Sequence, residues 1–246
     1  VIMDLPSRNP LQVIFGQISG LSVEHITLNL LEKSGDREGM AATGALAAAM
    51  GLSGPAAGMA MMSSEEMNES VAKATFKIND LNVTAILATW PFSEGDSVKL
   101  VGTITEGRTF VALAALDEER RIVSLYPHVS AGSFAHWARV LRYSLWVGVP
   151  TSTLMLAVVC LGTYGTGESF EGFLIPLMIA FVVSVLLVIF VGYRIGRRFS
   201  KFVRIAEQVF EALEWPDVRW VNLRKDAAAN RLDGDPPGLG DTYFRY

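Results

Sequence analysis

Two long uncharged runs dominate what this chain can fold into. Residues 143–167 contain no Asp, Glu, Lys or Arg, residues 172–193 contain none either, and only Glu168 and Glu171 carry charge between them. About 20 apolar helical residues, each rising about 1.5 Å, cover the roughly 30 Å hydrocarbon core of a bilayer. Either run has that length. Two helices buried in a soluble core are the competing reading. However, residues 174–191 read LIPLMIAFVVSVLLVIFV, apolar all round, and a 246-residue chain has little protein with which to cover them. The expectation is a transmembrane hairpin within residues 134–196, with spans at about 143–165 and 173–193.

Charge orients the hairpin. Arg139 and Arg142 precede the first span, and Arg194, Arg197, Arg198, Lys201 and Arg204 follow the second, whereas the connecting loop has neither Lys nor Arg. The positive-inside bias then puts both flanks, and both termini, in the cytoplasm. Trp137, beside His136, is placed to act with these cations as a membrane anchor. The chain as a whole has 21 basic and 25 acidic residues, a formal charge of −4, so nothing general favours nucleic acid. The partner implied by the juxtamembrane cations is the lipid bilayer and its anionic headgroups.

The residues before the hairpin read as a small cytoplasmic all-β domain over 11–128. Residues 11–19 and 22–31 form two short alternating strands divided near Gly20. Residues 71–78 and 81–90 form a hairpin through Asn79-Asp80, with Ala72, Ala74, Phe76 and Ile78 on one face and Lys73, Thr75 and Lys77 on the other. Strands at 97–105, 109–116 and 121–126 follow after short turns, giving a meander or small barrel of OB-like or SH3-like kind. Such a likeness implies no ligand.

Inside this domain the composition changes abruptly. Residues 39–64, GMAATGALAAAMGLSGPAAGMAMMSS, are uncharged and dominated by Ala, Gly and Met. Four readings fit them: a single span, a membrane-associated or oligomer-lining hairpin broken near residues 51–55, a soluble Ala/Gly-rich helical insertion, or a flexible loop. A single span would put the strands on either side of it in different compartments. Gly44, Gly51, Gly54 and Gly58 are candidate helix-packing or membrane-active positions, because small residues let backbones approach closely.

After the second span, residues 197–214 continue in helical rhythm. Phe199, Phe202, Val203, Ala206, Val209, Phe210 and Leu213 form an apolar stripe that needs a partner, either a neighbouring protein or the β domain. Trp215-Pro216 stops the helix, and residues 215–246 read as an extended C-terminal tail. The fold class expected is therefore membrane α+β: the β domain with its insertion, the hairpin and a cytoplasmic amphipathic helix.

No catalytic, cofactor or metal site is assigned. The single cysteine, Cys160, lies inside the first span, and His25, His128 and His136 lack ligand spacing. His25 reads as a strand-face residue and His128 as a turn or cap. Lys73, Lys77, Lys99 and Arg108 make a weak basic face without the aromatic series of a single-strand binder, so nucleic acid is not expected as a partner.

The early small-residue segment, the Trp90-Pro91-Phe92-x-x-Gly95-Asp96 turn, the Leu125-Tyr126-Pro127-His128-x-Ser130-x-Gly132 junction and the hairpin that follows at once resemble a bacterial membrane-protein family named for type VI secretion system effectors. The likeness covers most of residues 16–204. It implies an inner-membrane protein of interbacterial antagonism and carries over no catalytic residue. Two functions follow as expectations. One is a noncatalytic homo-oligomer that permeabilises a membrane. The other is a membrane-tethered recognition, regulatory or immunity protein that binds a secretion-system component or a cognate effector.

Overall fold

A computed structural model of the chain describes residues 10–29, 68–105, 109–166, 174–232, 235, 236 and 238–246. Gly44, Gly51, Gly54 and Gly58, with the rest of the 39–64 segment, lie outside the described residues. The described residues form an eight-stranded mixed sheet and three helices.

The sheet is built on one bent strand. β1 (Gln12–Gln17) pairs antiparallel with β5 (Ser97–Thr105), and β2 (Ser19–Asn29) pairs antiparallel with β3 (Asn68–Ile78). The bend falls at Ile18, whose N–H donates to the Asp96 carbonyl at 3.0 Å and whose carbonyl accepts from the Gly95 N–H at 3.0 Å. Gly20 sits in the register shift just beyond, at φ +66°, a conformation that glycine adopts without cost. The Glu94 carboxylate pins this bulge, accepting from the Gly20 and Leu21 N–H groups at 2.7 Å each.

From there β3 turns through Asn79-Asp80 into β4 (Leu81–Leu87), both turn residues at positive φ. A simple meander would next pair β4 with β5. Instead, β4 lies parallel to β6 (Thr109–Asp117), and β5 pairs with the other edge of β6. The loop after β4 thus carries the chain across the end of the sheet. With β1 and β2 counted as one strand, the spatial order is first, second, third, fifth, fourth and back to first. That is the order of an OB-type barrel, whose closure removes open edges.

Two cores follow. Phe76, Ile78, Val83, Leu87, Val98, Leu100 and Phe110 fill the barrel interior, with Phe92 closing it and Trp90 packed at 5.0 Å from Phe76 and 5.2 Å from Phe92. β5 and β6 meet so closely that a Cβ on Gly102 would lie 2.0 Å from the Val111 carbonyl oxygen, which is why glycine stands there. The outer face of β5, β6 and β7 (Ile122–Leu125) is covered in turn by helix, and β6, buried on both faces, reads as the near-continuous apolar run TFVALAAL.

Helix α1 (Ser133–Thr166) and helix α2 (Leu174–Ala212) are long and apolar enough to cross a membrane. They pack against each other along much of their length. α2 has 39 residues, roughly 58 Å of helix, about twice the thickness of a hydrocarbon core. Its second half is the helix that covers the sheet. Phe202, Ala206, Val209 and Phe210 are at most 1% exposed there, among Val101, Leu113, Leu116, Val123 and Leu125. The stripe formed by Phe199, Phe202, Val203, Ala206, Val209, Phe210 and Leu213 therefore does not await a separate protein. Phe199 is half-buried and the other six are buried within the chain, all but Val203 in the core formed on its own sheet.

The C-terminal residues depart from the extended tail read in the sequence. Helix α3 (Leu223–Ala229) buries Leu223 and Ala227, and β8 (Tyr243–Arg245) pairs with β7. Phe244 enters the outer core at 3% exposure. Tail residues rich in Gly, Pro and charge conceal the three-residue strand, which is set by the open edge of β7 rather than by its own pattern.

Candidate functional site: the helical hairpin and its junction with the barrel

The hairpin is held by a seam of small residues. Val140, Ser144, Gly148 and Ser152 recur every four residues on α1, and Ser184, Val188, Gly192 and Gly196 do so on α2, so each set lines one face of its helix. The helices run antiparallel, matching Ser152 to Ser184, Gly148 to Val188, Ser144 to Gly192 and Val140 to Gly196. Ser152 and Ser184 hydroxyls meet at 2.9 Å. A Cβ at Gly192 would fall 2.0 Å from Ser144 Oγ, one at Gly148 3.2 Å from Val188 Cβ, and one at Gly196 2.9 Å from Val140 Cγ2. Close approach is thus bought by glycine at three of four levels. Sequence reasoning looked for small-residue spacing in the 39–64 segment and missed this seam. The signal that would have found it is the pair of small-xxx-small runs, Ser144 to Ser152 and Gly192 to Gly196.

Away from the seam both helices present apolar side chains outward. Trp146, Leu154, Met155, Leu161, Ile175, Met178 and Leu187 are each at least 61% exposed. A core helix of a soluble protein hides such residues. Two outward hydroxyls, Thr151 and Thr153, donate to the Val147 and Val149 carbonyls of their own helix at 2.7 and 2.8 Å.

At the barrel end of the hairpin the contacts become polar and specific. The Ser133 N–H, at the unsatisfied start of α1, donates to Glu207 Oε1 of α2 at 2.9 Å, so a carboxylate satisfies an orphan donor and meets the positive end of the helix dipole. His136 Nε2 lies 3.1 Å from the Gly196 carbonyl, and Trp137 stacks on Tyr193 at 5.3 Å. Arg139 Nη2 donates to Asn222 Oδ1 at 2.6 Å, and Asn222 also caps α3. Gly132 lets the 217–222 loop lie against this corner: a Cβ on it would sit 2.1 Å from the Val218 carbonyl oxygen.

A second polar knot joins the start of β3 to α2. His128 sits at φ +65° and its Nε2 lies 2.8 Å from Glu69 Oε1. Its ring packs 5.4 Å from Phe199 and 5.1 Å from Phe202, and Tyr126 stacks on Phe202 at 6.4 Å. Burial, and then the Glu69 carboxylate, push the Tyr126 hydroxyl above the usual phenol range. The turn role read for His128 holds in its left-handed backbone, but the Glu69 contact across 59 residues of sequence was not legible.

The proposed anchors divide. Arg142, Arg194, Arg197, Arg198, Lys201 and Arg204 are exposed, as headgroup contacts require. Trp137 and Arg139 are half-buried and engaged with Tyr193 and Asn222, so they brace the protein against itself. Lys201 also rests its ammonium 4.9 Å from the Phe202 ring. Among the described residues no group of three or more His, Cys, Asp or Glu side chains is placed to hold a metal ion. No protein-family model, curated protein or solved structure matches the chain.

Proposed function

We propose that this chain is a noncatalytic, membrane-anchored recognition protein. Its OB-type barrel is held at the cytoplasmic face of a bacterial inner membrane by a two-helix transmembrane hairpin, with both termini in the cytoplasm. The supporting observation is α2, one unbroken helix whose first half is an apolar candidate span and whose second half is the outer core of the β domain. Nothing flexible intervenes between them. The barrel therefore has a fixed height and orientation above the bilayer, as a protein recognising another membrane-proximal protein requires.

The surface suited to such a partner lies at the same corner. Trp220 and Phe134 pack 5.1 Å apart while staying 63% and 46% exposed, and the Arg219 guanidinium lies 5.9 Å from the Phe134 ring. Trp and Arg are the residue types that dominate binding energy at interfaces. The family resemblance would make the partner a secretion-system component or a cognate effector of interbacterial antagonism.

A permeabilising homo-oligomer is the second reading, and the hairpin weighs against it. The seam serines face each other or glycine, and among the described residues the outward faces offer no polar stripe with which to line water. Dye-loaded vesicles separate the two. The anchored reading expects reconstituted protein to leave the dye enclosed at every protein density and membrane potential tried; leakage that rises with density would overturn it in favour of the oligomer.

A further inference from the structure

The face of α1 turned away from the seam carries a groove. It runs from Leu141 and Arg142 past Leu145 and Trp146 to Val149 and Pro150, an open apolar concavity with one cation at the end nearer the barrel. Pro150 has no N–H, so the Trp146 carbonyl lacks its helical donor although the helix runs on through the proline. Thr151 Oγ1 contacts both the Val147 and Gly148 carbonyls there, at 2.7 and 3.2 Å, as side chains do where a proline disrupts the backbone ladder.

Charge identifies the occupant. Arg142 is exposed and makes no ion pair among the described residues. Neither helix of the hairpin carries a carboxylate before Glu207, far along α2. A second copy docked groove to groove about an axis normal to the membrane would set two Arg142 side chains at one depth, and one docked on the outer face of α2 would bring Arg142 level with the exposed Arg194, another cation. Both leave an uncompensated cation, which is strongly destabilising. Arg142 to Pro150 spans about 12 Å of helix, within one leaflet of a core near 30 Å thick.

We infer that this groove is a binding site for an anionic glycerophospholipid, its phosphate on the Arg142 guanidinium and one acyl chain along Leu145, Trp146 and Val149. The inference rests on the transmembrane reading of the hairpin. Arginine suits the role because its planar fork meets two phosphate oxygens at once. A lipid so held would fill the concavity at Pro150 and fix the depth at which the barrel sits.

Trp146 is the natural reporter. The full chain and its Trp146→Phe variant are reconstituted in vesicles containing a small fraction of dibrominated phosphatidylglycerol or dibrominated phosphatidylcholine, and the difference in quenching isolates Trp146. The expected result is quenching about fivefold more effective per brominated phosphatidylglycerol, the preference that one cation near an anionic surface supplies. Arg142→Gln should bring the two lipids to parity while Arg194→Gln leaves the preference in place. Equal quenching in the parent chain would overturn the inference, as would shielding from both lipids that grows with protein density, the mark of a second copy in the groove. Absence of quenching by either lipid at any dilution would instead remove the transmembrane reading itself.

Discussion

Replacing Phe210 with alanine tests the join between helix and barrel. Phe210 is fully buried, stacks on Trp215 at 5.3 Å with rings 12° from parallel, and packs within the core made by the outer sheet face. Truncating a buried Phe costs about 3–5 kcal/mol once lost transfer energy and the residual cavity are both counted. Against the 5–15 kcal/mol typical of a domain, that is a large fraction of the whole, and for a chain of this size it lowers Tm by about 6–20 °C. Thermal unfolding of detergent-solubilised protein, followed by Trp fluorescence, gives the readout, since Trp215 lies on Phe210 on one side and 5.0 Å from Tyr246 on the other. Phe15→Ala, on a side chain 62% exposed, is the control and should move Tm by less than about 2 °C. A Phe210→Ala protein that melts with the parent, yet loses a binding partner, would refute the intramolecular packing and return the stripe to a separate protein.

Other consequences are sharp enough to measure. Gly132→Ala forces a Cβ to within 2.1 Å of the Val218 carbonyl oxygen, so the 217–222 loop should lift at a cost of about 1–3 kcal/mol, seen as faster tryptic cleavage after Arg219. Ser152→Ala and Ser184→Ala, combined in a double-mutant cycle of unfolding in detergent, should show a coupling near 0.6 kcal/mol, because hydroxyls in an apolar medium gain little beyond what the separated helices find elsewhere. The Tyr126 phenol is raised in the folded state, so its contribution is intact below the unfolded value of 10.0 and lost as pH climbs through the folded value above it. Tyr126→Phe should therefore lose less stability than the parent between neutral pH and pH values above 10, measured as the shift in denaturation midpoint.

What the sequence disclosed was whatever had a local period. Alternation at residues 71–78 gave the buried and wet faces of β3, because one side of that strand meets the barrel core. The 3.6-residue stripe from Phe199 to Leu213 was likewise visible, and the structure supplies the surface it covers. Long-range pairing was not visible. The parallel contact of β4 with β6, the bend at Ile18 that lets one strand serve two neighbours, and the docking of β8 on β7 depend on which edges remain open after the other strands pair. Polar contacts across long separations were hidden for the same reason: Glu69 with His128, Glu207 with Ser133 and Asn222 with Arg139 unite residues that no spacing rule connects. The seam of the hairpin is the instructive omission, since hydropathy alone ranks Ser144, Gly148, Ser152, Gly192 and Gly196 as weak points in apolar runs, whereas small volume is what brings the helices together.

Topology is the central claim, and labelling of single cysteines measures it. In a Cys160→Ala background, cysteines placed at Glu24 on β2, Asp217 after α2 and Glu168 between the helices are challenged with a membrane-impermeant maleimide in spheroplasts and in inverted vesicles. Glu168→Cys should react in spheroplasts, and Glu24→Cys and Asp217→Cys only in inverted vesicles. Reaction of Glu168→Cys in the same compartment as the other two, or of Glu24→Cys and Asp217→Cys on opposite sides, would contradict a hairpin that crosses the bilayer and holds the barrel at its inner face.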